Sequence, residues 1–322
     1  MSSFGVGRVS SLFVYPMSFD EFLTATGQEG LLRTKRNSSP TNPLPEAFYN
    51  RLVEAFRSYM LVGGMPEAVA TYTETGSYRY SSDIVNEIIQ GYQDDFAKYG
   101  AKANPLLLRQ TLISVAHQAG AKFVYSRVEG QYRSAEVKVA LEMLKDAGLI
   151  IPTYHTDANG VPLGAEINER VVKYLIHDTG VLLGILGIDD DIDDSIKEMM
   201  VADSINLVDK GHVAEMMAGL ELIKYSSPQK RHQLYYWQNM NKGTCAEVDY
   251  VIARSGSIVP IEVKSGVKGS MSSMYSLMRN PQKHIEMGIR CSLENFGTFE
   301  SPDGKKIDII PLYAISNLFA EK

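Results

Sequence analysis

"AEVDYVIARSGSIVPIEVKSG", residues 246–266, decides how the last third of this chain is read. Two apolar runs flank Arg254-Ser255-Gly256-Ser257, the pattern of two antiparallel strands joined by a tight turn. With Ser255 and Gly256 as the turn, 254 faces 257. Continuing that register sets Asp249 opposite Glu262, and Glu247 opposite Lys264. Period-two alternation then gathers Val248, Tyr250, Ile252, Val259, Ile261 and Val263 on the other face, which reads as core. Like charges facing each other on a sheet are destabilising, and neighbouring carboxylates resist ionising together. Three carboxylates on one face therefore call for Lys264, a shared proton or a bound cation. The ordinary alternative is a solvated face with a Glu247–Lys264 ion pair worth less than about 1 kcal/mol.

Outward from the hairpin, the order of elements is mixed. A segment at 201–226 with Glu215 on it reads as helix. Strands follow near 233–237, 247–253 and 258–264, a helix near 270–287, and strands near 288–292 and 307–313. The acidic run "DDDIDDSIKE", 189–198, reads as a solvated loop before this region.

The earlier part is mostly helical. "RTKRNSSPTNPLP", 33–45, reads as a linker. Phe48, Leu52, Phe56 and Met60 recur at helical spacing, Gly63-Gly64 end that helix, and Pro66 suits the first turn of the next. Further helices are expected at about 82–98 and 105–119. Ser134 can cap a helix whose Val137, Ala140, Leu141 and Leu144 form one apolar stripe and which Gly148 can end. The β-like "LIIPTYH" and "VVKYLIHD" after it suggest a winged helix-turn-helix. Arg127, Arg133, Lys138 and Lys145 can meet phosphates there, although Glu129, Glu136 and Glu142 interleave with them.

The chain of 322 residues is 44% hydrophobic and 22% charged, with a formal charge of −6. It has room for more than one domain. The acidic balance disfavours indiscriminate nucleic-acid binding over the whole surface. Cys245 and Cys291 offer neither a disulfide framework nor a cysteine metal cluster, and the six histidines never fall at HxxxH spacing. No run approaches the roughly eighteen apolar residues of a membrane span, and no signal-peptide pattern opens the chain. A cytoplasmic protein without a membrane partner is the expectation.

The order of a helix with Glu215, then Asp249, then Glu262-Val263-Lys264 resembles the PD-(D/E)XK nuclease fold, in its E…D…ExK form. The resemblance implies that Asp249 and Glu262 hold Mg²⁺ or Mn²⁺ with the Val263 backbone carbonyl, that Glu215 or Glu247 supports the metal, and that Lys264 positions or polarises the attacking water. The implied activity is Mg-dependent endodeoxyribonuclease. Further segments, "VGGMPEAV", "YSRVEGQYRSAEVKVALEMLKDAGLI", "KYLIHDTGVLLGILG", "GHVAEMMAGLELI" and "EVDYVI…IVPIEVKSG", are similar to the C-terminal region of a prokaryotic AAA-type ATPase family. That region carries a winged helix and a nuclease-like domain of unknown function. "SFGVGRVSSLFVYPMSFDEFL" is similar to the last part of that family's ATPase domain.

The expected architecture is therefore α/β. An ATPase-domain remnant and linker occupy 1–45, a helical region with the winged helix 46–188, and a restriction-endonuclease-like mixed α/β domain 189–322. The chain departs from the family in lacking GxxxxGK[ST], so no nucleotide-binding residues and no ATP site are expected. The resemblance makes DNA, or a protein partner such as an ATPase domain, the expected partner. A non-catalytic regulatory module of such an ATPase is the alternative to a nuclease, because the apolar "VSSLFVYPMSFDEFL" should expose a surface that needs covering.

Overall fold

The structure is a computed structural model, described here for residues 10–99, 104–187, 194, 210–239, 246–266 and 269–319. Part of the expected ATPase remnant (1–9), most of the acidic run, the start of the helix expected from 201, and Cys245 lie outside the described residues. Asp194 of the acidic run accepts hydrogen bonds from Ser77 Oγ and Arg79 N–H, both at 2.7 Å, so this residue is engaged rather than simply solvated.

The first half is helical: α1 (Phe19–Ala25), α2 (Glu29–Arg36), α3 (Glu46–Val62), α4 (Pro66–Thr75), α5 (Tyr78–Phe96), α6 (Pro105–His117) and α7 (Ser134–Asp146). Their boundaries follow local chemistry. Ser18 and Glu21 form a capping box on α1. Gly63, at φ +78°, stops α3, and Pro66 opens α4. A side chain at Gly63 would collide with Asp178, which sits fully buried at the start of α8 (Thr179–Ile185). Asp178 accepts from Gly64 N–H at 2.6 Å and from Val181 N–H at 3.1 Å, so one carboxylate closes a turn and caps a helix.

β1 (Ile150–Thr156) and β2 (Ile167–Ile176) follow α7 as an antiparallel pair. The helix-and-hairpin order expected of a winged motif is present, but the hairpin is not a free wing. β1 also pairs in parallel with β3 (Leu234–Gln238), which continues to β4 (Glu247–Val248), making a sheet of order β2-β1-β3-β4. Strands from both sides of the boundary expected at 189 thus lie in one sheet. They also share one apolar core, which runs from Phe19 to Leu318.

The second sheet has the order β5-β6-β7-β9-β8, from β5 (Tyr250–Arg254), β6 (Ser257–Val263), β7 (Met287–Ser292), β8 (Gly297–Glu300) and β9 (Lys306–Pro311). β6, β7 and β9 run parallel and are covered on both faces, hence their apolar runs. The short edge strand β8 has no counterpart in the sequence reading. α9 (Lys210–Lys224) packs against β2, β3 and β6, at the seam between the two sheets. α10 (Ser272–Arg279) covers the other face and ends well short of the expected 287. Asn280 caps a 3-10 turn there instead. No helix among the described residues is long and apolar enough to cross a membrane.

The apolar N-terminal segment is mostly covered. Phe19, Phe22 and Leu23 are wholly buried, stacking among Phe56, Tyr59 and Tyr72, while Leu12 and Val14 stay exposed. Among the described residues, the exposed apolar side chains of this segment are Leu12 and Val14, in an extended stretch. Buried polar contacts hold the segment down. Phe19 N–H and Tyr59 OH both donate to Glu221, and Lys35 is sealed against Asp20 and Ser316.

Candidate functional site

The hairpin register is as expected from Arg254↔Ser257 to Tyr250↔Ile261. Ser255 and Gly256 both take positive φ, the requirement of a two-residue turn that continues strand twist. Beyond Tyr250 the expectation fails. The chain bends at Asp249, and residues 247–248 leave β6 to pair with β3, Gln238↔Glu247 and Trp237↔Val248. Val248 accordingly falls in the smaller core with Val251 and Ile258, not with Tyr250. The single apolar face becomes two, because helices cover both sides of this sheet.

The bend gives each acid a different neighbour. Asp249 Oδ2 accepts from Val263 N–H at 2.7 Å, replacing the ladder bond the bend removes. Glu262 Oε1 accepts from Lys264 Nζ at 2.6 Å, while Glu262 Oε2 is buried with no hydrogen-bond partner among the described residues. Glu247 does not meet Lys264; it meets Lys173 Nζ, at 2.5 Å. Lys173, on β2, also holds Glu215 Oε1 at 2.8 Å.

Glu215 arrives there because α9 lies unusually close to the second sheet. A Cβ on Gly219 would stand 2.3 Å from Tyr250 Oη, which donates instead to the Glu215 carbonyl at 2.8 Å. From the other side Gly120, at φ +74°, lets the turn after α6 close over Glu215. The four expected acids, Glu215, Glu247, Asp249 and Glu262, are thus electrostatic neighbours at the seam of the two sheets, with Lys264 at the rim.

Among the described residues, four carboxylates share two ammonium groups here, Lys173 and Lys264. Burial, followed by Asp249 and Glu247, pushes the Glu215 carboxyl up to about 8 against the pull of Lys173. Burial and then the Asp249 charge push Glu262 up to about 7, against Lys264. Asp249 is raised by burial, with the Val263 N–H opposing. Burial also works against the charge of Lys173, but Glu215 and Glu247 outweigh it, so its ammonium stays protonated. The physical picture is an acidic cluster with more negative charge than its lysines balance, which therefore takes up protons near neutrality or a cation.

The donors fit a hard divalent ion in kind, being carboxylate oxygens with one buried oxygen left unpaired. They are not gathered as a cage: among the described residues no three such side chains close on one point. Val263 engages through its N–H.

Lys173 is the member of this cluster that sequence reasoning missed. Its signal is legible afterwards: a lysine inside "VVKYLI", an otherwise apolar strand, needs buried partners. The expected phosphate contacts divide. Arg127, Arg133 and Lys138 are exposed, whereas Lys145 is half-buried and paired with Glu142. Exposed Glu129, Glu136 and Glu142 share that surface.

A model of a domain of unknown function, DUF8612, matches residues 53–192, and a second, DUF4143, matches residues 210–315. The second is commonly associated with AAA-type ATPases. No curated protein and no solved structure matches the chain. Each matched region supplies part of the cluster: Lys173 comes from the first, and all four carboxylates come from the second.

Proposed function

We propose that this chain is a nuclease-like module with a PD-(D/E)XK-type site for phosphodiester hydrolysis in DNA, belonging to an AAA-type ATPase system and without an ATP site of its own. The observation that carries the reading is the uncompensated charge of the buried cluster, together with the unpaired Oε2 of Glu262 beside Lys264. Asp249 and Glu262 would hold Mg²⁺ or Mn²⁺, with Glu215 in support. Bound there, the cation supplies neutralisation of the phosphate and an acidified water. Lys264 favours the developing hydroxide and the charged transition state. Arg127, Arg133 and Lys138 offer phosphate contacts on the exposed side of the α7 region. Because the β1–β2 hairpin is built into a sheet, such contacts would run along α7 rather than a projecting wing.

A second reading, a non-catalytic regulatory or protein-interaction module, draws support from Lys173, whose ammonium already occupies Glu215 and Glu247. Side-by-side nicking of branched, single-stranded and duplex DNA in Mg²⁺ or Mn²⁺ separates the two. The nuclease reading expects slow cleavage that Lys264→Ala lowers far more than it lowers metal affinity, and that Asp249→Ala abolishes along with metal binding. Cleavage of no substrate by a chain that binds no metal leaves the regulatory reading.

A further inference from the structure

Burying a lysine costs several kcal/mol unless its charge is needed where it sits. Lys173 is 1% exposed, and its Nζ has a defined shell: Glu215 at 2.8 Å, Glu247 at 2.5 Å and the centre of the Tyr236 ring at 4.9 Å. Two carboxylate oxygens and a π face form a coordination sphere for a cation. The backbone under it is fixed on both sides, paired with Thr153 of β1 and bridged to Lys122.

The other two acids stand apart from that shell. Asp249 turns to Val263 and Glu262 to Lys264, with Glu262 Oε2 buried and unpaired. Counting these four carboxylates as ionised and these two lysines as charged, the deficit among the described residues equals the charge of one divalent cation.

We propose that Lys173 is a built-in cation, filling between Glu215 and Glu247 the place a second divalent ion would otherwise take. The cluster is thereby limited to one exchangeable cation, held by Asp249 and Glu262. That last clause rests on the nuclease-like reading, whereas the role of Lys173 does not. In two-ion hydrolytic sites a pair of metals clamps both sides of the phosphate. Here one of the two positive charges is covalently attached and cannot be removed by a chelator.

The experiment is Mn²⁺ binding to the full chain, by calorimetry and by electron paramagnetic resonance, for wild type, Lys173→Met and Lys173→Arg. Methionine keeps the unbranched length and removes the charge. The expected stoichiometry is one for wild type, two for Lys173→Met and one for Lys173→Arg. Wild type binding none while Lys173→Met binds one also supports the role of Lys173, and it removes the cation from Asp249 and Glu262. Equal stoichiometry in wild type and Lys173→Met overturns the proposal, as does a wild type that already binds two. Should Lys173→Met not fold in chelator, it is refolded in millimolar Mn²⁺ and again in Na⁺ of equal ionic strength. Recovery in Mn²⁺ alone supports the proposal, and recovery in neither or in both overturns it.

Discussion

Glu262→Gln should make the protein more stable at about pH 8 in the absence of divalent metal, although it removes half of an ion pair. The Glu262 side chain is buried and its carboxyl is pushed from its ordinary 4.5 up to about 7, chiefly by burial and then by Asp249. An acid whose folded pKa is raised binds protons more tightly in the folded state. Between about pH 4.5 and 7 the folded chain therefore carries the extra proton, and unfolding free energy falls as pH rises through that window, then levels off. At about 1.4 kcal/mol per tenfold change in proton affinity, the loss from this one group is about 3 kcal/mol. The attraction of Lys264 is already contained in that figure, because it acts on the same ionisation. Glutamine keeps the shape and has no charge to bury, so it should recover most of the loss above neutrality and flatten the pH profile. The assay is urea unfolding of both proteins in chelator at several values between about pH 5 and 8.5. Mg²⁺ should then restabilise wild type and leave Glu262→Gln unmoved. Equal pH slopes in chelator, or a less stable variant at about pH 8, would refute the reasoning.

Asp178→Ala should cost about 3 kcal/mol in a denaturant melt, because Gly64 N–H and the first turn of α8 lose a buried charged acceptor together. Gly219→Ala should destabilise by about 1–3 kcal/mol and weaken Mn²⁺ binding in calorimetry, since the new methyl would displace Tyr250 and with it the backbone of Glu215. Removing the charged partner of Lys35 by Asp20→Ala should cost about 3–5 kcal/mol by the same melt, as Lys35 is fully buried. A loss under about 1 kcal/mol would mean that water reaches Lys35 readily.

Much of the fold could be read where local chemistry decides it. Gly63-Gly64 and Pro66 mark real helix ends, and the Ser255-Gly256 turn sets the hairpin register through five residue pairs. The site was legible only as a roster of acids. Its wiring was not, because the bend at Asp249 depends on β3 capturing residues 247–248 from β6. That competition between two strands has no trace in a period-two pattern. Lys173 was hidden for a similar reason: its partners lie 42 and 74 residues away in the chain. The strand β8 is too short, and its burial too mixed, to announce itself against the turns around it.

The pairing of β1 with β3 reaches beyond architecture. Exchanging one of these regions between relatives without the other should disturb the strands they share in one sheet. A second region grafted onto a first that lacked a lysine at position 173 would arrive with its acids in surplus and its seam unsealed. Covariation between the two halves should therefore concentrate along this line of hydrogen bonds and at the charge it delivers. In a chain of this build, heredity of the site is joint property of both halves.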